Sequence, residues 1–338
     1  MVTIREVARQ AKVSVGTVSN VLAGAASVRP ELRRRVEEVM RELDYHPNQI
    51  ARSLKTRQTK TLGMVISDIT NPFYPQIVRG AEDAAMEHGY LLFTLNTDEN
   101  MERERRVLAT LRARKVDGLL LTVAPGQDDL SHVTQFRDSG LPIVCIDRNV
   151  PGIDLDLVCA DNVRGARMCM QHLLSRGHRR IGVLGGSRGV LTAEQRLQGY
   201  EVSLGEAGIP LDPKLERHGD FRLDSGYRLA KEMLLETDPP TALFASNAMM
   251  GFGALKAIHE LGLRCPEDVA LAVFDEVPFG DVIHPRLTVV AQPAYEMGRV
   301  STELLIARVE GREKSPTPVR ITLTPELLVR QSTASRRA

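Results

Sequence analysis

No apolar run in the 338 residues approaches the ~18–20 needed to span a membrane. The first residues, Met-Val-Thr-Ile-Arg-Glu, lack the charged-then-apolar order of an export signal, so a cytoplasmic protein with no membrane partner is expected. There are only four cysteines, Cys145, Cys159, Cys169 and Cys265, with no CxxC spacing; they read as reduced thiols packed as small hydrophobes. Eight histidines include no HExxH pair. Gly182, Gly185, Gly186 and Gly189 do not follow GxGxxG, and no Lys-Ser/Thr completes a phosphate loop. No catalytic residue, metal ligand or cofactor is therefore expected, and an enzyme is the weaker reading.

What is present suits a globular chain of two or three domains, with 43% apolar and 26% charged residues. The net charge of +1 conceals an uneven distribution. Residues 1–60 carry twelve Lys/Arg against six acids, so the first 60 residues are +6 and the rest −5. A basic head on a mildly acidic body suggests a polyanion-binding module joined to something else.

In the head, Ile4, Val7, Ala8 and Ala11 keep the spacing of one helix face, and Thr3 with Glu6 forms a capping-box signature. Ser14 is a good N-cap for a second helix with Val18, Val21 and Leu22 inward. A third stretch opens at Pro30 and is expected to bury Leu32, Val36, Val39, Met40 and Leu43. Two short helices joined by a tight turn make a helix-turn-helix, although an ordinary helical hairpin would show the same periodicity. The outward face of the second helix, Val15, Gly16, Thr17, Ser19 and Asn20, is small and hydrogen-bonding and leaves room for a major groove.

From Thr61 onward, strand-length apolar runs alternate with helical stretches. Strands are expected at 62–68, 91–96, 118–123, 143–147, 157–160, 181–185, 242–247 and 269–275, which calls for parallel sheets covered on both faces. The pattern restarts near Arg180, and Leu141–Asp147 is answered by Val269–Asp275, each run ending in an aspartate. Two α/β subdomains facing a cleft follow, with ligands expected where strand ends meet. Asp68, Asn71, Asn96, Asp98, Asp147, Asn247 and Asp275 wait at those ends, a set able to pair with the hydroxyls of a polyol.

The words Thr3-Ile-Arg-Glu-Val-Ala8, Val13-Ser-Val-Gly-Thr-Val-Ser-Asn-Val-Leu22, Leu43-Asp-Tyr-His-Pro-Asn48 and Ala51-Arg-Ser-Leu-Lys55 resemble the lactose-repressor family of bacterial transcription regulators. The match continues to about residue 333. The resemblance implies a helix-turn-helix DNA-binding domain at 1–46, a hinge at 47–60, an effector-binding and dimerisation body at 61–333, and a tail at 334–338. In the body, an N-terminal subdomain of about 61–160 with 293–320 would face a C-terminal one of about 161–291 with 321–333. DNA contacts would come from Thr3, Ser14, Val15, Gly16, Thr17, Ser19 and Asn20, with Ala51, Leu54 and Lys55 from the hinge. Leu54 would wedge into the minor groove.

By the same resemblance the effector would meet Phe73, Asp147, Arg196, Phe221, Asn247 and Asp275. The whole is then expected to be an α-helical head on an α/β body like a periplasmic binding protein. Its function would be that of a homodimeric repressor binding a near-palindromic operator under control of a sugar or sugar derivative. A sugar-binding protein without a DNA role, or an effector such as a nucleobase, remain the alternatives. Arg148 and Arg188 also fall near the cleft, with Arg148 read as solvated or paired.

Overall fold

The computed structural model describes residues 2–22, 25, 27–45, 58–126, 129–276 and 280–334. They divide into two compact units, residues 1–59 and 60–338.

The first unit is helical, with α1 Ile4–Gln10, α2 Val15–Leu22 and α3 Pro30–Glu42. Thr3 and Glu6 close the capping box: Glu6 N donates to Thr3 Oγ1 at 3.4 Å and Thr3 N donates to Glu6 Oε2 at 2.7 Å. Such a cap contributes about 1 kcal/mol. Ser14 Oγ accepts from Thr17 N at 3.0 Å and starts α2 one turn after α1 ends. Val7, Ala8, Ala11, Val18, Val21, Val36 and Val39 form the core, with Ile4, Leu22, Met40 and Leu43 packed on its rim. Leu32, expected inside, is only half-buried, because it lies in the first turn of α3 at the margin of the three-helix contact. The hinge residues Ala51, Leu54 and Lys55 lie outside the described residues.

In the second unit, β1 Thr61–Ile66, β2 Leu91–Asn96, β3 Gly118–Leu121, β4 Ile143–Ile146 and β5 Asp156–Ala160 alternate with α4 Phe73–Glu87, α5 Met101–Ala113 and α6 Ser131–Asp138. Then come α7 Asn162–Ser175, β6 Ile181–Gly185, α8 Leu191–Glu206, β7 Glu216–His218, α9 Leu223–Leu234, β8 Ala242–Ala245, α10 Ala248–Glu260 and β9 Ala270–Phe274. The chain ends with β10 Thr288–Ala291, α11 Ala294–Val309, β11 Arg320–Leu323 and β12 Glu326–Leu328. One sheet has the order β11-β5-β4-β3-β1-β2 and the other β12-β10-β9-β8-β6-β7. β1, β3, β4, β6, β8 and β9 are apolar and buried almost end to end, as strands covered on both faces by helices must be.

The first sheet is wholly parallel, whereas β12 pairs antiparallel to β10 (Val289 opposite Leu328). Only Thr324 and Pro325 separate β11 from β12, so the chain passes directly from the edge of one sheet to the edge of the other. The chain passes from one sheet to the other after β5, after β10 and after β11. The last crossing falls three residues later than the expected 320/321 boundary, because Ile321, Thr322 and Leu323 pair with Val158, Cys159 and Ala160.

Candidate functional site

On the head, Val15, Gly16 and Asn20 are exposed, while Thr17 and Ser19 are half-buried. Val15 leaves 43% of its surface to solvent although three valines of the same unit have none, so the outward face of α2 carries an apolar side chain that its own core does not use. Thr3 and Ser14 have structural duties as caps of α1 and α2. Their side-chain oxygens hold the amides that would otherwise be orphaned at each helix start.

In the body, the polar residues that matter stand immediately past strand ends. Ser67 follows β1, Thr122 follows β3, Asp147 follows β4, Ser246 follows β8, Asp275 follows β9 and Gln292 follows β10. Five of the six, all but Asp275, hold a buried side-chain oxygen with no hydrogen-bond partner: Ser67 Oγ, Thr122 Oγ1, Asp147 Oδ1, Ser246 Oγ and Gln292 Oε1. Leaving a buried polar atom without a partner costs about 1–3 kcal/mol, so a cluster of them at the ends of two facing sheets is the signature of a site shaped for a hydrogen-bonding ligand. Cavities bridge the two halves at this level. Phe73 and Asp275 line one of about 440 Å³, Asp68, Asp98 and Phe221 another of about 450 Å³, and Arg148, Asn149 and Leu191 a third of about 210 Å³.

Each expected effector residue can be placed. Asp147 and Asp275 are both in the left-handed backbone region (φ 69° and 78°), which turns their side chains at the close of β4 and β9, and both are buried. Gln292 Nε2 donates to Asp275 Oδ1 at 2.6 Å. Arg196 sits over the Phe274 ring, its Cζ 3.9 Å from the centroid, and donates to Asn162 Oδ1 at 2.8 Å and to the Ser246 carbonyl at 2.7 Å. These bonds use two of its five N–H donors. Asn247 caps α10, its Oδ1 accepting from Met250 N, while its Nδ2 donates to the Phe221 carbonyl at 2.8 Å. Asn247 therefore positions Phe221, whose own backbone is left-handed (φ 65°). The Phe221 ring rests on Gly186, where a Cβ would lie 2.0 Å from Cζ; the glycine-rich turn after β6 makes room for this ring. Phe73 is buried and meets Tyr74 edge-on, and Asn71 Oδ1 accepts from its amide.

Burial pushes the carboxyls of both Asp147 and Asp275 above the ordinary carboxylate range. For Asp147, Arg148 and Arg196 oppose that rise while the charge of Asp275 adds to it; Arg196 also opposes it at Asp275. Arg196, from the C-terminal half, thus acts on an acid from each half. Arg148 is buried and held by Glu99 through two bonds of 2.7 and 2.9 Å, with Asp147 at 3.6 Å, which resolves its reading in favour of pairing. Arg188 is exposed. Reading the sequence missed Glu99, Gln292, Asn162, Ser67, Thr122 and Ser246. The signal for most was present: each but Glu99 lies within two residues of the end of an apolar run.

Among the described residues no group of His, Cys, Asp and Glu could hold a metal ion, and no helix is long and apolar enough to cross a membrane. Residues 3–48 match the model of bacterial regulatory proteins of the lacI family, and residues 59–331 match that of periplasmic binding proteins and the sugar binding domain of the LacI family. The ribose operon repressor of Halalkalibacterium halodurans is 37% identical, over 98% of this chain and 97% of its own. The transcriptional repressor PurR of Pasteurella multocida is 33% identical, over 99% of this chain and 100% of its own. Among solved structures, the Lac repressor dimer bound to operator and the anti-inducer ONPF superimposes with a TM-score of 0.87 at 28% identity, over 99% of both chains. With a helix-turn-helix head, a two-sheet body and polar residues gathered at the facing strand ends, the chain belongs to the LacI family of bacterial transcription regulators.

Proposed function

We propose that this regulator acts as a homodimer on a near-palindromic operator, by binding and not by turnover, in the cytoplasm where its DNA lies. Val15, Gly16, Thr17, Ser19 and Asn20 read the major groove, with Thr3 and Ser14 at the helix starts beside the phosphates. Ala51, Leu54 and Lys55 act from the hinge. The two-fold symmetry of a dimer is mirrored by its site. The body pairs residues 61–160, α11 and β11 with the remaining chain around the cleft, and Phe73, Asp147, Arg196, Phe221, Asn247 and Asp275 form the effector site. The effector is a neutral, hydroxyl-rich ring of monosaccharide size, with ribose the first candidate.

The observation that carries this reading is the set of unpartnered oxygens at the facing strand ends, flanked by the rings of Phe73 and Phe221. Hydroxyls satisfy oxygens and amides alike, and rings stack on a sugar's C–H face. The two buried cleft arginines already face carboxylates, Arg148 those of Glu99 and Asp147, Arg196 those of Asp147 and Asp275, which favours a neutral ligand over an anionic one. The name of the ribose operon repressor agrees with this choice. Calorimetric titration of the full chain with ribose, a hexose, a hexose phosphate and a purine base tests it. Ribose is expected to bind in preference to the phosphate and the base; binding of the purine alone would overturn the effector assignment.

A further inference from the structure

Lys60, the first residue of the body, is held at four points. Its amide donates to Asp117 Oδ2 at 2.8 Å, its carbonyl accepts from Leu91 N at 2.9 Å, its Nζ lies 3.1 Å from Glu310 Oε1, and the same ammonium sits 4.0 Å over the centroid of the Tyr90 ring. Its backbone is left-handed (φ 53°), a conformation that a non-glycine residue keeps only where its surroundings impose it. So much fixing at the one residue through which residues 1–59 are joined to the body exceeds what a simple connector needs.

The two side-chain partners of Lys60, Tyr90 and Glu310, lie at the far ends of two helices whose near ends line the cleft. α4 begins at Phe73 and leads to Tyr90; α11 begins at Ala294, beside Tyr295 and Glu296 in the cavity shared with Asp275, and leads to its C-cap Glu310. Sixteen residues carry α11 about 24 Å from cleft to Lys60. The two helices are interlocked at glycines. A Cβ on Gly80 would lie 2.0 Å from the Tyr295 carbonyl oxygen, and one on Gly298 would lie 2.0 Å from that of Ile77. Backbones this close cannot slide independently, so α4 and α11 move as one body.

We propose that Lys60, Tyr90 and Glu310 form a latch through which movement of the α4–α11 pair at the occupied cleft sets the direction in which the linker to the DNA-binding head leaves the body. The proposal rests on the effector reading above, and makes these three positioning residues that touch neither ligand. Lys60→Met removes the charge, Glu310→Gln weakens its partner, and Lys60→Arg keeps the cation over the ring.

The test uses the full chain and an operator selected by the wild-type protein from a random-sequence library, with operator affinity measured with and without ribose and ribose affinity measured by calorimetry. In Lys60→Met and Glu310→Gln, ribose affinity is expected to stay within about twofold of wild type. Effector-free operator affinity should fall at least fivefold and the effect of ribose on it should shrink by a similar factor, a size typical of inter-site coupling. Lys60→Arg should restore both. Unchanged operator affinity and unchanged ribose response in Lys60→Met and Glu310→Gln would overturn the latch. A wild-type protein whose operator binding ignores ribose counts against the effector reading alone, and the latch is then decided by the effector-free affinities. Should Lys60→Met fail to fold, Glu310→Gln, at a helix end, decides the question by the same measurements.

Discussion

Replacing Asp275 by asparagine keeps the side chain's shape and its capacity to accept the 2.6 Å bond from Gln292, but removes the charge. The carboxylate is buried between β9 and the N-terminus of α10, and burial pushes its pKa upward, so the ionised form is held there at a cost. A sugar hydroxyl donating to it gains a charge-assisted bond worth roughly 1.5–3 kcal/mol, most of which an amide oxygen cannot supply. At about 1.4 kcal/mol per tenfold, Asp275→Asn should weaken ribose binding roughly 10- to 150-fold. The ligand-free protein should meanwhile melt close to wild type, since the desolvation cost of the buried carboxylate is removed while the bond from Gln292 is kept. Calorimetry gives the affinity and a thermal melt the stability. An Asp275→Asn protein that bound ribose as tightly as wild type would refute the placement of the site; one that bound weakly but also melted early would show that the aspartate serves the fold.

The two cleft acids also predict a pH response. Because their native pKa values are raised, the neutral form is favoured in the fold. Ribose affinity should therefore decline as pH falls toward those values, beginning above the ordinary Asp value of about 3.9, and pH-independent calorimetric affinity down to about pH 4 would contradict this. For stability the sign is opposite: the favourable contribution of the neutral form is present below the unfolded-state pKa and is lost as pH rises through the native one. Gly298→Ala places a methyl 2.0 Å from the Ile77 carbonyl oxygen and should cost at least about 1–3 kcal/mol, read as a lower denaturation midpoint. Val15 and Asn20 are exposed on α2, so changing both to alanine should alter the preferred sequence in a binding selection while the head's helical signal persists. Raising salt should weaken operator binding steeply and leave ribose binding nearly constant, as the uneven charge of the chain requires.

Why some of this was legible and some was not follows from where the partners lie along the chain. Asp147 and Asp275 could be picked out because each terminates an unbroken apolar run, and a strand buried on both faces must become polar where it emerges. The helices of the head announced themselves through Thr3, Ser14 and Pro30, local signals that act within one turn. β7, β10, β11 and β12 stayed hidden, β10 because Thr-Val-Val-Ala is too short an apolar run to stand out. Glu-Arg-His, Arg-Ile-Thr-Leu and Glu-Leu-Leu are half-polar edge strands whose pairing comes from residues far away in sequence. The burial of Arg148 was equally unreadable, since its partner Glu99 stands 49 residues earlier on a left-handed loop. Propensity and periodicity report neighbours in the chain, and an ion pair closed by the tertiary fold leaves no local trace.

The return of the chain to both sheets after residue 320 has a consequence for synthesis. β11 seals the edge of one sheet beside β5, and β12 then seals the other beside β10. At roughly 5–20 residues per second, the first 45 residues leave the ribosome long before this closure, and they carry a core of their own. The body must wait with β5 an open edge until residue 323, and β10 until residue 328, has emerged. A ribosome that stalls or terminates before the first of these points releases a DNA-reading head attached to two unsealed sheets. Such a fragment exposes two open sheet edges, so a fully closed body is expected only from chains translated past residue 328.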